Sequence, residues 1–255
     1  MNKSDIPLAR RDRIAERLLG GEAVVAATLA VEFGVSEDAI RRDLRALATD
    51  GLCRRVYGGA LPISPANTPI TDRIKEGQEK KTALAEIAAS TIQPDEFIFL
   101  DNSSTHLVLA GLLPKDYNLT VATNSILIGS ALLTRKDLSL ILIGGTVNNQ
   151  IGGSVDASAI YSLSQMNIDR AFIGACAVSF QSGVSAFDHA DASFKRTLVS
   201  SSRQRTVIVT AEKMGTRARH KFSEIEDIDQ FILDKDCPKE EVDALVGIGK
   251  TILSD

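Results

Sequence analysis

The sequence is poor in cysteine and lacks long apolar runs. Its three cysteines, Cys53, Cys176 and Cys237, lie far apart and outside any CxxC or Cys/His spacing, which argues against a disulfide framework or a structural zinc and is typical of reduced thiols. No run approaches the roughly 18 apolar residues of a membrane span. Asp and Arg interrupt the N-terminal MNKSDIPLARRDRIAERLL, so it has no signal-peptide core. We expect a cytoplasmic protein with no membrane segment.

Composition and charge fit a soluble globular protein of two unequal domains. Of its 255 residues, 44% are hydrophobic and 24% are charged, which excludes intrinsic disorder. The net charge of −4 argues against nucleic acid, but residues 1–60 hold 10 Lys+Arg against 9 Asp+Glu. Nine of those ten cations are arginine, the side chain suited to forked contacts with phosphate and guanine.

The N-terminal pattern predicts a helix-turn-helix. Apolar residues at helical spacing predict a first helix that ends at Gly20-Gly21 and a second from about Val25 to Phe33, followed by Gly34. The next segment, VSEDAIRRDLRALATDGL, predicts a third helix because Ser36 is a good N-cap. Two short helices joined by a tight Gly-containing turn are typical of this motif.

The third predicted helix combines an apolar stripe with an arginine face. The stripe consists of Ile40, Leu44 and Leu47. If the stripe faces inward, Arg41, Arg42 and Arg45 face outward, on the side that this motif presents to the major groove. Alone, RRDLR is also typical of a solvated helix face. The combination with the turn and the cap favours DNA binding.

A short β-hairpin wing is predicted after the third helix. In LCRRVYGGALPI, Arg54 and Arg55 precede a Tyr57-Gly58-Gly59 turn, which suits a hairpin whose arginines lie against phosphate or in the minor groove. Residues 1–61 are therefore interpreted as a winged helix-turn-helix. Its predicted DNA contacts are Ser36, Arg41, Arg42, Arg45, Arg54, Arg55 and Tyr57.

A proline-rich stretch separates this domain from the rest of the chain. Pro62, Pro65 and Pro69 fall within eight residues, a density typical of a hinge. We interpret residues 62–75 as a hinge or linker and residues 76–255 as an effector-sensing and oligomerisation domain.

Alternating strands and helices predict an α/β fold for the larger domain. Apolar β-forming runs recur at EFIFLD, LTVAT, LSLILIGG, DRAFIGA, RTVIVTAEK and IDQFILD, and helical stretches separate several of them. This alternation predicts a mostly parallel sheet covered on both faces. Ligands of such sheets bind at the carboxyl ends of the strands.

Small polar residues follow three of these strands and predict a cradle for phosphate or carboxylate. The strand-end residues are Asp101, Asn102, Ser103, Ser104, Thr105, Thr123, Asn124, Ser125, Gly144 and Gly145. The alternative is that NSST and TNS only cap the helices that follow. Further along, Lys195 and Lys213 can neutralise a phosphate, although lysines are often merely solvated. His189 can hydrogen-bond a sugar hydroxyl, while His220 is expected on a basic surface turn.

The segment from Val35 to Ala60, VSEDAIRRDLRALATDGLCRRVYGGA, resembles the N-terminal motif of the DeoR family of bacterial sugar-metabolism regulators. The resemblance extends over essentially the whole chain. Ala39 stands where the family usually has Thr, and Tyr57 stands where it usually has His. The operator sequence therefore cannot be copied from relatives.

The resemblance implies a sugar-phosphate-isomerase-like C-terminal domain that binds phosphorylated sugars. The family's D-x-G-[ST]-T loop matches residues 101–105 with Ser103 at the Gly position, its TN motif matches Thr123-Asn124, and its GG motif matches Gly144-Gly145. DASFKR keeps Asp191 and Lys195 but has Ser193 where the family often has Glu. Lys213 and Gly215 are kept, while Thr210 replaces an Asp. The effector site is therefore expected to be retuned.

These observations predict a DNA-binding transcriptional regulator, a repressor of a carbohydrate or related catabolic operon. A phosphorylated sugar or similar anionic metabolite would control it, and the resemblance implies that the ligand relieves repression. We expect a homo-oligomer on two half-sites, with no catalytic residue, metal or cofactor. The alternatives are a sugar-phosphate isomerase or deaminase, for which Asp101, Asp191 and His189 are eligible acids or bases, and a ligand-free structural DNA-binding protein.

Overall fold

The chain divides into two compact units, residues 1–64 and residues 65–255. The structure is a computed structural model that describes residues 7–19, 24–50, 52–62 and 68–254. One hydrophobic cluster lies within the first unit, and two lie within the second.

The smaller unit has the helix and strand order of a winged helix-turn-helix. Its elements are α1 Pro7–Leu19, β1 Val24–Val25, α2 Ala26–Phe33, α3 Glu37–Thr49, β2 Cys53–Val56 and β3 Gly59–Pro62. The strands form an antiparallel sheet in the order β1-β3-β2. Gly34 ends α2 at φ 64°, a left-handed conformation that favours glycine. The predicted motif is confirmed, although Gly20-Gly21 lies outside the described residues.

Apolar side chains from all three helices fill the core of this unit. The buried set includes Ile14, Leu18, Leu29, Ile40, Leu44 and Leu47. The predicted stripe of α3 therefore faces inward, because its members recur on one side of the helix.

The larger unit alternates strands and helices along most of its length. Its elements are α4 Ile70–Arg73, α5 Gln78–Ser90, β4 Phe97–Leu100, α6 Ser104–Leu112, β5 Thr120–Thr123, α7 Ile126–Leu132, β6 Ser139–Leu142, β7 Val147–Asn148, β8 Gly153–Ser154, α8 Ala157–Ser164, β9 Ile168–Gly174, β10 Ala177–Ser179, β11 Gly183–Ala186, α9 His189–Ser200, β12 Ser202–Val209, a 3-10 turn Ala211–Lys213, β13 His220–Ser223, β14 Gln230–Leu233, α10 Lys239–Gly247 and β15 Thr251–Ser254.

A seven-stranded parallel sheet organises this unit. Its strand order is β15-β14-β12-β9-β4-β5-β6, and every neighbouring pair is parallel. One core packs α5, α6 and α7 against one face, and the other packs α8 and α9 against the opposite face. The predicted α/β class and all six predicted strands are confirmed, and β15 is an additional strand.

Two smaller sheets flank the main one. Strands β10, β11 and β13 form an antiparallel sheet, and β7 and β8 form a two-stranded hairpin. His220, expected on a surface turn, is instead the first residue of β13, where it pairs with Ala186. That expectation was wrong because the basic residues around His220 mask the strand pattern.

The segment interpreted as a hinge is partly structured. Pro62 ends β3, residues 63–67 lie outside the described part of the chain, and Ile70 begins α4. Ile70 is buried and donates its backbone N–H to the carbonyl of Gln150 at 3.0 Å. Residues from Ile70 onward are therefore held by the larger unit.

Of the helices that the structure describes, none has the length and apolar character needed to cross a membrane.

Candidate functional site

The outward face of α3 carries the three predicted arginines. The side chains of Arg41, Arg42 and Arg45 are exposed, since the apolar stripe takes the opposite face. Ser36 is the N-cap of α3, and its hydroxyl accepts the N–H of Ala39 at 3.3 Å. Ser36 therefore fixes the start of the helix that presents the arginines.

The three arginines differ in their electrostatic surroundings. Arg41 lies 2.8 Å from Glu37 and 3.7 Å from Asp38 within the same helix. Within the described ranges, Arg42 and Arg45 have no ion-pair partner. Arg42 and Arg45 can thus meet an external phosphate or base without first breaking an ion pair.

The wing projects an aromatic side chain from its tip. Strands β2 and β3 pair from Cys53–Pro62 to Val56–Gly59, and the turn between them contains a fully exposed Tyr57 and Gly58 at φ 85°. Arg55 is exposed, whereas the side chain of Arg54 lies outside the described part of the chain. The hairpin geometry needs a glycine at position 58, and it leaves Tyr57 free to contact a ligand.

The aspartate inside the RRDLR segment has a structural role that the sequence pattern did not indicate. Asp43 is buried. Its Oδ2 accepts a hydrogen bond from Nε of Arg10 at 2.7 Å and lies 2.6 Å from Nη2 of the same guanidinium. Arg10 belongs to α1, so this buried pair joins the first helix to the recognition helix.

In the larger unit, the register of the central strands gathers the predicted residues at one edge of the sheet. Leu100 pairs with Thr123 of β5 and with Phe172 of β9. Asp101 and Asn102 therefore lie beside Asn124 at the carboxyl ends of these strands. We call this group, together with α9 residues Asp191 and Lys195, the strand-end site.

A buried lysine lies between two buried carboxylates at the base of this site. Lys195 Nζ is 2.5 Å from Asp101 Oδ2 and 3.0 Å from Asp191 Oδ1. Burial opposes the charge of Lys195, but the two carboxylates outweigh it, so the pKa of Lys195 is raised. Burial raises the pKa of Asp191. The positive charge of Lys195 is consequently already compensated inside the protein.

Asp101 is fully engaged by the protein. Its Oδ1 accepts the N–H of Asn102 at 2.8 Å, and its Oδ2 accepts the N–H of Gly174 at 3.0 Å. The carbonyl of Asp101 lies 2.8 Å from Nδ1 of His106. Burial lowers the pKa of His106 to about 4, so this histidine is neutral at physiological pH.

The serines and threonines of the site hold its loops in place. Ser103 accepts the N–H of Thr105 at 3.2 Å, and Ser125 accepts that of Ile128 at 3.4 Å, as N-caps of α6 and α7. Thr123 donates its hydroxyl to the Leu100 carbonyl at 2.7 Å. Ser104 and Thr105 are buried in the first turn of α6. The capping alternative therefore applies to Ser103 and Ser125.

Asn124 connects the site to the β7–β8 hairpin. Its side-chain Nδ2 donates to Asn102 Oδ1 at 3.3 Å and to the backbone carbonyl of Ser154 at 3.2 Å. Its backbone carbonyl accepts the N–H of Ser154 at 3.0 Å. On the other side of the hairpin, the side chain of Ile70 touches Gly152, where a Cβ would lie 2.6 Å from Ile70 Cγ2.

Two cationic residues near the site were missed in the sequence. Arg73 of α4 lies within electrostatic range of Asp101 and Asp191. Lys81 of α5 is buried and donates Nζ to the carbonyls of Arg73 and Glu76. The local sequence TDRIKEGQEKK is typical of a solvated segment, so only the fold reveals that Arg73 lies within electrostatic range of the site and that Lys81 is buried.

Lys213 shares the surroundings of these cations. It lies in the 3-10 turn after β12, and burial lowers its pKa to about 8, with Arg73 and Lys81 adding to the effect. Burial and neighbouring cations disfavour the charged form of this lysine, so a bound anion would stabilise that charged form.

Buried polar atoms without a partner concentrate at the strand-end site. The described atoms of this kind are Arg73 Nε, His106 Nε2 and Asn124 Oδ1, together with Arg11 Nε in the smaller unit. Buried polar groups are nearly always paired with protein, water or a ligand. Three such atoms in the neighbourhood of Asp101 indicate a binding site.

Three predicted residues have other surroundings. Gly144 and Gly145 are exposed, and a Cβ on Gly145, which has φ 140°, would lie 2.5 Å from Asp156 Oδ1. The close approach of Asp156 therefore explains Gly145, whereas a Cβ on Gly144 would meet no atom within 4 Å. The ring of His189 stacks edge-on against His220, with centroids 5.2 Å apart.

A cavity of about 610 Å³ lies at the opposite, amino-terminal edge of the sheet. Its lining includes Glu96 and Asp229, which pair with Arg170 and Arg205. The charges of Glu96 and Asp229 are thus compensated, and the lining contains none of the predicted residues. Within the described ranges, no group of three His, Cys, Asp or Glu side chains could hold a metal ion.

Comparison with known proteins places both units in one family. The model of the DeoR-like helix-turn-helix domain matches residues 10–66, and the model of the DeoR C terminal sensor domain matches residues 76–235. The glycerol-3-phosphate regulon repressor of Escherichia coli strain K12 is 30% identical over 211 residues, which cover 82% of this chain and 84% of the repressor. The HTH-type transcriptional regulator YgbI of the same strain is 34% identical over 244 residues, covering 94% and 95%.

Further similarities are weaker. The putative aga operon transcriptional repressor of Escherichia coli O157:H7 is 28% identical over 249 residues, covering 96% of this chain and 92% of the repressor. Among solved structures, ribose 5-phosphate isomerase A of Methanocaldococcus jannaschii is 14% identical over 55% of each chain, with a TM-score of 0.40, which is too low to support a functional inference. The matches to both domains and to full-length relatives show that this chain is a member of the DeoR family of transcriptional regulators.

Proposed function

We propose that this regulator represses a carbohydrate or related catabolic operon, and that a phosphorylated sugar or similar anionic metabolite binds its strand-end site without being turned over. In this proposal, α3 and the wing grip operator DNA in the cytoplasm, and two copies read two half-sites. The observation that carries the effector assignment is the concentration of unpaired buried polar atoms at the strand ends, beside uncompensated cations.

The chemistry of these atoms matches the two ends of a sugar phosphate. Arg73 and Lys213 carry positive charge that no strand-end carboxylate compensates as closely as Asp101 and Asp191 compensate Lys195. They suit the phosphate, since guanidinium and ammonium groups are donors only. Asn124 Oδ1 is an unused acceptor and suits a hydroxyl group of the sugar.

The β7–β8 hairpin provides a route from this site to the linker. Asn124 holds the hairpin through Ser154, and the hairpin holds Ile70 through the Gln150 carbonyl and the contact with Gly152. Arg73 lies in the same short helix as Ile70. An effector that pulls on Arg73 and Asn124 would thus shift the first structured residues after the linker and bias the placement of the DNA-binding unit.

The state of the acid and base candidates supports sensing over isomerase or deaminase activity. A general acid or base needs a free proton-transfer atom beside the substrate. Both carboxylate oxygens of Asp101 accept backbone N–H groups, and one also meets Lys195. His189 packs against His220. Assays on aldose and ketose phosphates should detect no turnover, and turnover that Asp191→Asn abolishes would favour the enzyme.

The proposal is tested by fluorescence anisotropy on the chain's own upstream intergenic DNA, with excess unrelated competitor and a panel of sugar phosphates. We expect salt-sensitive, competitor-resistant binding that one compound weakens. Lys213→Met should lose the response to that compound, while Lys115→Met, at an exposed position, should keep it. Specific binding that no panel compound alters would reject the effector class, and absence of specific binding would reject the repressor.

A further inference from the structure

Strand β6 leaves one edge of the parallel sheet open. It is the last strand in the order β15-β14-β12-β9-β4-β5-β6, and no other described strand lies beyond it. Ser139 and Ile143 donate their N–H groups to Leu119 and Thr123 on the β5 side. Because the direction of backbone groups alternates along a strand, the N–H and C=O groups of Leu140 and Leu142 face away from the sheet.

Large apolar side chains surround this open edge. Leu142 is 52% exposed and lies over Gly129 of α7, where a Cβ would be 3.1 Å from Leu142 Cδ1. Ile126 begins α7 and Leu133 follows its last residue with helical backbone angles; the two side chains, 46% and 76% exposed, lie seven residues apart and therefore share one helix face. Ile141 is 36% exposed on the other face of the strand. Exposed apolar side chains therefore lie on both faces of the strand at this edge.

Strand β6 also lacks charged residues and proline, which keep exposed edge strands from pairing with another chain. Between Tyr117 and Val155 the only charged residues are Arg135, Lys136 and Asp137, and Arg135 pairs with Asp137. Exposed edge strands are normally protected by lysine, proline or a bulge. The strand sequence Ser139–Leu142 contains no charged residue and no proline.

We propose that the β6 edge pairs with the β6 edge of a second copy of this chain, antiparallel about a two-fold axis at Ile141. In that register Leu140 of one copy exchanges two backbone hydrogen bonds with Leu142 of the other, and the two Ile141 side chains meet. A two-fold contact uses the same surface twice, which an uncharged strand permits without like-charge repulsion. A stable dimer buries about 800 Å² on each partner, so α7 contributes through Ile126 and Leu133.

Cysteine cross-linking tests this register directly. Residues opposite each other in a non-hydrogen-bonded antiparallel pair have Cα atoms about 4.5 Å apart, within disulfide reach. Ile141→Cys should therefore give a disulfide-linked dimer under mild oxidation. Val246→Cys, at a 56% exposed position on α10, should not, and neither should the unsubstituted chain.

Sedimentation velocity of the full chain, without DNA or effector, provides the second measurement. Leu142→Lys and Leu133→Glu should each halve the mass of the native assembly, while Val246→Glu should leave it unchanged, and circular dichroism should show that all three variants fold. A monomeric native chain, or a native mass in both edge variants with no cross-link at position 141, would overturn the proposal. Neither measurement depends on the proposed operator or effector.

Discussion

Removing the carboxylate of Asp43 should unfold much of the recognition helix. Arg10 and Asp43 are 2.6 Å apart, with side chains 7% and 5% exposed. Breaking a buried ion pair by removing one partner costs about 3–5 kcal/mol, because the remaining charge stays buried without compensation. Since a whole domain is stabilised by only about 5–15 kcal/mol, Asp43→Ala should remove a large share of the stability of the smaller unit.

Hydrogen exchange of the α3 amides in the full chain measures this loss locally. A loss of about 3 kcal/mol corresponds to a decrease in protection of more than 100-fold, since 1.4 kcal/mol is a factor of ten. Asp50→Ala is the matched control, because Asp50 lies at the exposed end of the same helix. Amides of α6 in the larger unit should exchange at native rates in both variants.

The double variant Arg10→Met with Asp43→Leu separates the ion pair from the space it fills. Replacing both partners with apolar residues of similar size removes the buried pair and should restore most of the protection. Arg11, 3.6 Å from Asp43, keeps its charge, but its side chain is one-third exposed. Protection in Asp43→Ala within threefold of the native value would refute the reasoning. It would mean that the Arg10–Asp43 pair does not hold α1 to α3.

Three further predictions concern the proposed function. Arg42→Ala should weaken operator binding by about 5- to 150-fold, equivalent to about 1–3 kcal/mol. The effect should exceed that of Arg41→Ala, because Arg41 is already paired with Glu37. Unchanged operator affinity of both variants, measured by anisotropy, would contradict the assigned face. The pKa of Lys213 is lowered to about 8, first by burial, and an anion binds its protonated form. A phosphate monoester loses its second proton with a pKa of about 6, so effector affinity measured by calorimetry should be nearly constant between about pH 7 and 8 and fall by up to about tenfold per pH unit above pH 8. Lys213→Met should bind the effector weakly, with an affinity that does not change over the same pH range. Gly152→Val should displace Ile70 and abolish the effect of effector on DNA binding while effector affinity changes less than threefold; an intact response would exclude the hairpin route.

The fold followed from local patterns wherever one residue type dominated a segment. Apolar β-forming runs identified the six predicted strands, and the stripe of Ile40, Leu44 and Leu47 identified α3. Strand β15 escaped prediction because its four residues, TILS, alternate too little and are only partly buried. His220 was misplaced because flanking cations outweighed the short strand signal.

Local patterns predicted the site where its residues follow strands directly, and the family resemblance added Asp191 and Lys195 of α9. Asp101 and Asn124 could be predicted because strand ends of a parallel sheet meet at one edge. The pairing of Lys195 with Asp101 spans 94 residues, and no local pattern encodes it. Arg73 lies in the segment that was interpreted as a hinge. The buried position of Asp43 was not predicted, because the arginines on either side of it indicate an exposed helix face.

The separation of the hydrophobic clusters bears on how regulators of this kind diversify. The cluster of the smaller unit contains buried residues from Ile14 to Ala60, and those of the larger unit begin at Leu84. Among the described residues, each hydrophobic cluster draws its members from one unit. Gene fusion within residues 63–67 would therefore leave both cores complete. The DNA-binding unit for one operator could thus be joined to the effector-binding unit of a relative. Natural shuffling and the engineering of biosensors can use the same junction, provided that the grafted sensor keeps the hairpin that holds Ile70.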